Sequence, residues 1–537
     1  MKKIRFSVLA LVLAGAFAFA GCDAMRGSGW NDDPFGDGGS SGGRISIAIS
    51  SAGYGTDWIQ NIMDEYTEAT GVRFATLQTD PINGNLASQV ANGNAATDIV
   101  ITVGGMFRAQ NNGMLEDLSG VYAATPEGES EPISEKTNRS VYERLLTDDG
   151  IYQMSWINGA ASIIYNKTYI DGIAARDAND ELGADWEENL PRTTDELNEF
   201  ARKIYAAGGV PFICSPNISY YDYLRLVWWA QYSGLETYRD FYRGYYTNAS
   251  GERVPAENAE VLNDPGRLIS MEAAGDLFGT AGWFHSDSVN LDFEAAQRVF
   301  LQNVTPGVDE TGAAMMVCGD WMENEMRRNL NGQEIRMMRV PVISDIVDNL
   351  PDKSVSREQL ATAVQCIDDG DTLEQAQAEI PGLTLNDYTR LQEARRMVYS
   401  SAMGHMIAIP ANRPEENKQR AKDFLIYLCS DGAQAVFSET LNGLTMPYGY
   451  TPETSMVSGF AASRIEAYGS DAIFIEEDGT VPMAYLGNLM PYGDYEYRID
   501  GMQLQGQSAS EIMNLVDANL RSNWSSYFRY HETNTAS

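Results

Sequence analysis

Positive charge is scarce in this 537-residue chain: 38 Lys and Arg stand against 75 Asp and Glu, a formal net of −37. A field of that sign repels nucleic acid and anionic lipid headgroups, which excludes both as partners, and it keeps the chain soluble. It does not speak to the ligand. Runs such as Glu187-Glu188 and Asp368-Asp369 read as solvated faces. Histidine is scarcer still, with only His285, His405 and His531, and the five cysteines form no CxxC pair. With no HExxH either, little is left to hold zinc, and no metal or cofactor is expected. There is no phosphate loop, and Asp287 and Asp292 miss the calcium-hand spacing. Gly38 to Gly42 spells GxSxG, but inside a Gly/Ser stretch with no strand before it or helix after it, so it is composition and not a nucleophile elbow. Past residue 20 no run approaches the ~20 apolar residues of a membrane-crossing helix.

The amino terminus carries the first positive signal. Lys2, Lys3 and Arg5 precede an apolar run from Phe6 to Ala20, and Phe19-Ala20-Gly21-Cys22 closes it. That order predicts a secretory leader over 1–22, and its ending resembles the bacterial lipobox, in which Cys22 takes lipid and becomes the first mature residue. Residues 23–43, rich in Gly, Ser and Asp, bury nothing and read as a flexible tether. Cys214, Cys318, Cys366 and Cys429 then remain; their pairing is open, and apolar neighbours favour buried free thiols.

From residue 44 the pattern alternates. Ile45, Ile47 and Ile49 predict a strand; Trp58, Ile59, Ile62, Met63 and Tyr66 recur at helical spacing up to Gly71. A second strand follows at Val72 to Thr76, a helix at Asn85 to Asn92, and an apolar strand at Asp98 to Val103 of the kind covered on both faces. This predicts a doubly wound α/β sheet. Asn158-Gly159, between strand-like 151–156 and 161–167, reads as a hairpin turn. Thr193 and Glu196 fit a helix capping box. Residues 219–246 are crowded with aromatics, and 345–403 carry helical periodicity (Leu360, Val364, Ile367; Leu391, Ala394, Met397, Val398), read as a helical insertion. His405 to Pro410 reads as a strand, and Ala421 to Cys429 and Ile512 to Leu520 as helices; His405 itself reads as structural.

Ile163-Ile-Tyr-Asn-Lys167, Thr193-Thr-Asp-Glu-Leu197, Gly312-Ala-Ala-Met-Met316, Gly319-Asp-Trp321, Ala421-Lys-Asp-Phe-Leu425 and Asn442-Gly443 to Pro447 follow the lipobox and tether in order. Together they resemble the family-1 extracellular solute-binding proteins of ATP-driven importers, over roughly residues 44–345 and 405–450. The resemblance implies an α/β, two-lobed periplasmic-binding-protein-like fold (type II-like) with hinge-crossing strands. Its lobes are expected over 44–157 and 301–344 (lobe 1) and over 158–300 and 404–537 (lobe 2, with C-terminal helices), the helical insertion at 345–403 exceeding the common pattern. It implies a binding protein and not an enzyme, a monomer lipid-anchored on the outer face of the bacterial membrane, and two partners: a small solute, most of all a carbohydrate, and the permease subunits of an ABC importer.

Such folds hold ligand beyond the carboxyl ends of strands. The places here are Ser50-Ser51 to Tyr54, Gly104-Gly105-Met106 and Gly319-Asp320-Trp321. A sugar needs flat rings for its C–H faces and polar groups for its hydroxyls. Trp321, Trp156, Trp228 or Trp229, Tyr54 and Tyr223 are the expected plates; Asp320, Asn158 and Asp222 are the expected polar partners, with Ser51, Gly104 and Met106 at the turns. Trp321 matches the family's Gly-Ser-Trp position. Two other classes stay open: a glycosidase, since 75 acids can always supply a carboxylate pair, and a sensor lipoprotein presenting solute to a receptor kinase.

Overall fold

A computed structural model describes residues 43–50, 53–79, 86–103, 105–177, 179–302, 312–469, 471–475 and 498–535. The leader, the tether with Cys22, and the site residues Ser51 and Gly104 lie outside the described residues. In chain order the strands are β1 (Arg44–Ser50), β2 (Arg73–Thr79), β3 (Ile99–Val103), β4 (Met154–Ser155), β5 (Ala160–Asn166), β6 (Phe212–Ile213), β7 (Tyr245–Thr247), β8 (Arg253–Pro255), β9 (Met315–Gly319), β10 (Ile335–Met337), β11 (Met397–Ser400), β12 (His405–Ala408) and β13 (Ile473–Ile475).

They build two sheets and a small β7-β8 ribbon. The first sheet runs β2-β1-β3-β12-β4 and the second β13-β11-β5-β9-β6, with β10 also on β5. In the first, β1 pairs in parallel with β2 and β3, as the βαβ pattern requires. The helix Asp57–Thr70 between β1 and β2 buries Trp58, Ile59, Ile62, Met63 and Tyr66 on the sheet. It stops at Gly71, whose φ of +75° closes the last turn by a 2.8 Å bond to the Thr67 carbonyl. Each sheet has its own hydrophobic core, and Trp321 and Tyr468 pack against both. The fold is two lobes with a seam.

Two segments sit on the opposite lobe from the one expected. Residues 301–344, expected in lobe 1, supply β9 and β10, which pair with β5 and so belong to lobe 2. The start of 404–537, expected in lobe 2, supplies β12, which pairs antiparallel with β3 in lobe 1. The helices Glu415–Leu428 and Asp431–Thr440 bury Phe424, Leu425, Leu428 and Phe437 in that same core. Strand pairing decides lobe membership, and pairing is non-local; the local pattern of either segment is equally at home in both sheets.

The Asn158-Gly159 turn is not a hairpin either. β4 and β5 lie in different sheets, so 156–160 is a crossing between lobes. A second crossing joins β11 to β12, and a third lies between Tyr448, in the first core, and Phe460, in the second. Asn158 ties the first two to the stretch that leads into the third. Its N–H donates to the Thr445 carbonyl (3.0 Å), and its Nδ2 to Thr445 Oγ1 (2.8 Å) and the Met446 carbonyl (3.3 Å). Its own carbonyl accepts from Ser400 Oγ, while Gly159 O accepts from Ser401 N at 2.9 Å.

The insertion folds as the helices Arg357–Asp368, Leu373–Glu379 and Leu385–Arg395, the first two opened by capping boxes (Ser356/Gln359, Thr372/Gln375). It ends sooner than its periodicity suggests: Met397 and Val398 leave the helix and start β11, between β13 and β5. At Thr193 half of the expected box is made: Thr193 Oγ1 accepts from Glu196 N, but the Glu196 carboxylate turns to Arg192 N. The C-terminal helices Ile499–Leu504 and Ala509–Thr535 dock on lobe 2 through Ile512, Val516, Leu520 and Trp524. The ion pairs Arg225–Asp500 and Arg267–Asp517, both 2.8 Å, fasten them.

Candidate functional site

The carboxyl ends of β1 and β9 meet across the seam. Gly319, the last residue of β9, is followed by Asp320 and Trp321, and a Cβ on Gly319 would sit 1.9 Å from the Trp321 ring. Only glycine lets that indole fold back over the strand end. Trp321 stays partly exposed there. Around it stand Tyr54 from lobe 1 and Tyr220 and Tyr223 from lobe 2, edge-on at 6.3, 6.3 and 6.4 Å between centroids. Tyr223 is itself stacked between Tyr220 (5.4 Å) and Tyr399 of β11 (4.1 Å). The arrangement is a patch of flat rings fed by four separate segments.

Asp320 is the buried acid of this patch. Tyr54 Oη donates to its Oδ1 (3.1 Å) and the Ala160 N–H to its Oδ2 (3.2 Å). Burial pushes its carboxyl up to about 6, against the pull of the Arg464 guanidinium and of those two donors. Arg464 is buried as well and donates to the Gly443 carbonyl at 2.8 Å. Beside Tyr54 the His405 ring stands edge-on at 5.7 Å, and burial holds its pKa down to about 4, so it is neutral. Glu323, two residues past Trp321, accepts from Asn442 Nδ2 (2.6 Å) and Ser458 Oγ (2.8 Å).

Of the expected site residues, Tyr54, Tyr223, Asp320 and Trp321 come together. Trp156 does not reach the surface: fully buried, it stacks on Trp58 (5.3 Å) and donates Nε1–H to the Thr102 carbonyl. It supports Tyr54 from below, with ring centroids 5.5 Å apart. Trp228 and Trp229, expected as plates, are fully buried as well. Their helix, Asp222–Ser233, is buried nearly all round, and their indole N–H groups are used internally, on the Pro341 carbonyl and on Asp264. Asp222 is paired with Arg225 at 2.6 Å, and buried Met106 anchors a turn through Gln153. Asn158 belongs to the hinge. It lines a cavity of about 790 Å³ with Ala160, Thr445, Met446, Arg464 and Tyr468, which includes none of the rings around Trp321.

Sequence reasoning missed Tyr399, Arg464 and Glu323 and left Tyr220 unchosen. Val398-Tyr399-Ser400 carried a strand signal that the helical reading of the insertion concealed. Arg464 and Glu323 offered no local signal.

The model of the bacterial extracellular solute-binding protein family matches residues 52–341, more than half of the chain. The chain belongs to that family. No curated protein matches the sequence. This solute-binding protein is similar in fold to RafE from Streptococcus pneumoniae in its apo form, at TM-score 0.59 and 13% identity over 90% of this chain and 99% of that one. It is similar to a family 1 extracellular solute-binding protein from Bifidobacterium longum subsp. infantis (TM-score 0.56, 14% identity, 89% and 99% covered). It is also similar to RafE in complex with raffinose (TM-score 0.55, 12% identity, 89% and 99% covered). At such identities the likeness is one of fold.

Proposed function

We propose that this solute-binding protein captures a neutral, hydroxyl-rich solute, a mono- or oligosaccharide, between its lobes and delivers it to the permease of an ABC importer. The carrying observation is Trp321: partly exposed, set in the seam against both cores, with tyrosines from both lobes around it. Flat rings suit the C–H faces of a pyranose, and the adjoining carboxylate and phenols suit its hydroxyls. A relative of like fold binds raffinose, which supports the carbohydrate class. Capture, as opposed to turnover, rests on the family, whose members bind solute. Lipid on Cys22 would hold the protein as a monomer at the outer face of the membrane, within reach of the permease. Binding proceeds by a shift toward the closed form, which requires the solute to touch both lobes.

A thermal-shift screen of mono- and oligosaccharides tests the reading. A ligand confined to the native state raises Tm by mass action, about 2.7 kcal/mol at a hundredfold excess over Kd. A response to some sugar supports the proposal; no response to any sugar, with one to amino acids or peptides, removes it.

A further inference from the structure

The seam is lopsided in charge. After β9, lobe 2 presents Asp320 and Glu323, and among the described residues lobe 1 answers with neutral donors: Tyr54 Oη on Asp320 at 3.1 Å and Asn442 Nδ2 on Glu323 at 2.6 Å. Gly53 completes the contact, since a Cβ there would lie 2.6 Å from a Glu325 oxygen. We propose that closing of the lobes takes up protons, because it buries the Asp320 and Glu323 carboxylates against uncharged groups of the other lobe, so that acid favours the closed form. The proposal rests on the reading of a hinged pair of lobes and adds a regulation to it.

The surrounding charges fit. Asp320 faces Arg464 from the helix Gly459–Ala467, whose guanidinium pulls its pKa down without offsetting the larger effect of burial, and Asp320 titrates at about 6. Cys318 and Glu325 lie on its own segment. Burial raises Glu323 too, in spite of Ser458, Asn442, Arg327 and Arg336. Glu325 meets Gln297 and the like charge of Glu294. His405, against the Tyr54 ring, stays neutral above about 4 and does not titrate in the range concerned. In an open form the two acids face water and return toward ordinary carboxylate values. The closed form therefore binds protons more tightly, and the closed-to-open ratio rises as pH falls. With Asp320 moving from 3.8 to about 6 on closing, the gain between pH 7.5 and 5.0 is about tenfold.

Hydrogen–deuterium exchange of the full chain at pH 5.0 and 7.5, corrected for intrinsic rates, reads this directly. Peptides covering 53–60 and 319–327 should gain about tenfold protection at pH 5.0, while a peptide within β5 stays constant. Asp320→Asn with Glu323→Gln should abolish the difference, and Glu323→Gln alone, the milder change, should reduce it. Equal corrected protection at both pH values, or a pH effect that survives in the double variant, overturns the proposal. If protection is independent of pH yet rises with a sugar, proton linkage falls and solute capture stands. If the two peptides respond to neither, both readings fall.

Discussion

Tyr54 and Asp320, 266 residues apart in the chain, hydrogen-bond across the seam between the lobes at 3.1 Å. One stands on the turn after the first strand and the other on the turn after β9. The contact joins the two places where a doubly wound sheet presents its strand ends to a ligand. Trp321, next in sequence to Asp320, covers that junction, with Tyr220 and Tyr223 beside it and Trp156 beneath Tyr54.

Trp321→Ala should weaken solute binding at least tenfold, a loss of about 1.4 kcal/mol, with a small change in Tm, because the ring is partly exposed and flanked by others. Trp156→Ala should do the reverse. Its ring is fully buried on Trp58, so truncation costs about 3–5 kcal/mol of stability in urea unfolding. Equal effects of both variants on affinity would contradict this assignment.

The sequence distinguished these tryptophans poorly for a physical reason. Trp321 follows Gly-Asp, and the need for glycine beneath its ring is a local constraint, so the site residue was legible. Whether Trp156, Trp228 or Trp229 faces a cleft depends on what a distant segment lays over it, which no local pattern records. The same limit governs topology. The run β1, helix, β2 and β3 could be read from periodicity alone, since each step is local. Asn158-Gly159 has hairpin chemistry and a positive φ at Gly159 (+61°), but the next strand joins the other sheet. Turn residues fix the bend and not the partner.

Asp320 gives the fold a pH dependence of its own. Its native pKa is raised to about 6 from 3.8, so it favours the native state most below pH 3.8, and that contribution is lost as pH rises through about 6. Asp320→Asn should therefore flatten the stability–pH curve between about pH 4 and 6.5, measured by urea midpoints at half-unit steps. A curve parallel to the wild type would show the carboxyl to be solvated.

Asp500→Ala should destabilise by about 3–5 kcal/mol, because fully buried Arg225 would lose the carboxylate 2.8 Å away, with Asp222 and the neutral Gln503 amide left beside it. The C-terminal helices should loosen first, read as early proteolysis within 498–535. Wild-type resistance there would mean that apolar docking through Ile512, Val516 and Leu520 suffices.

Cys214, Cys318, Cys366 and Cys429 are buried free thiols, and burial raises the pKa of each. A thiol reagent at pH 8 should find these four unreactive in the native protein and all reactive in guanidinium. Reaction of any one under native conditions would place it at the surface.

Isothermal titration of neutral oligosaccharides into the wild type and Trp321→Ala tests the central claim most directly. The account predicts saturable binding of at least one sugar at one site per chain, weakened at least tenfold in the variant. Binding of equal strength in both proteins, or heat from none of the sugars, would contradict it.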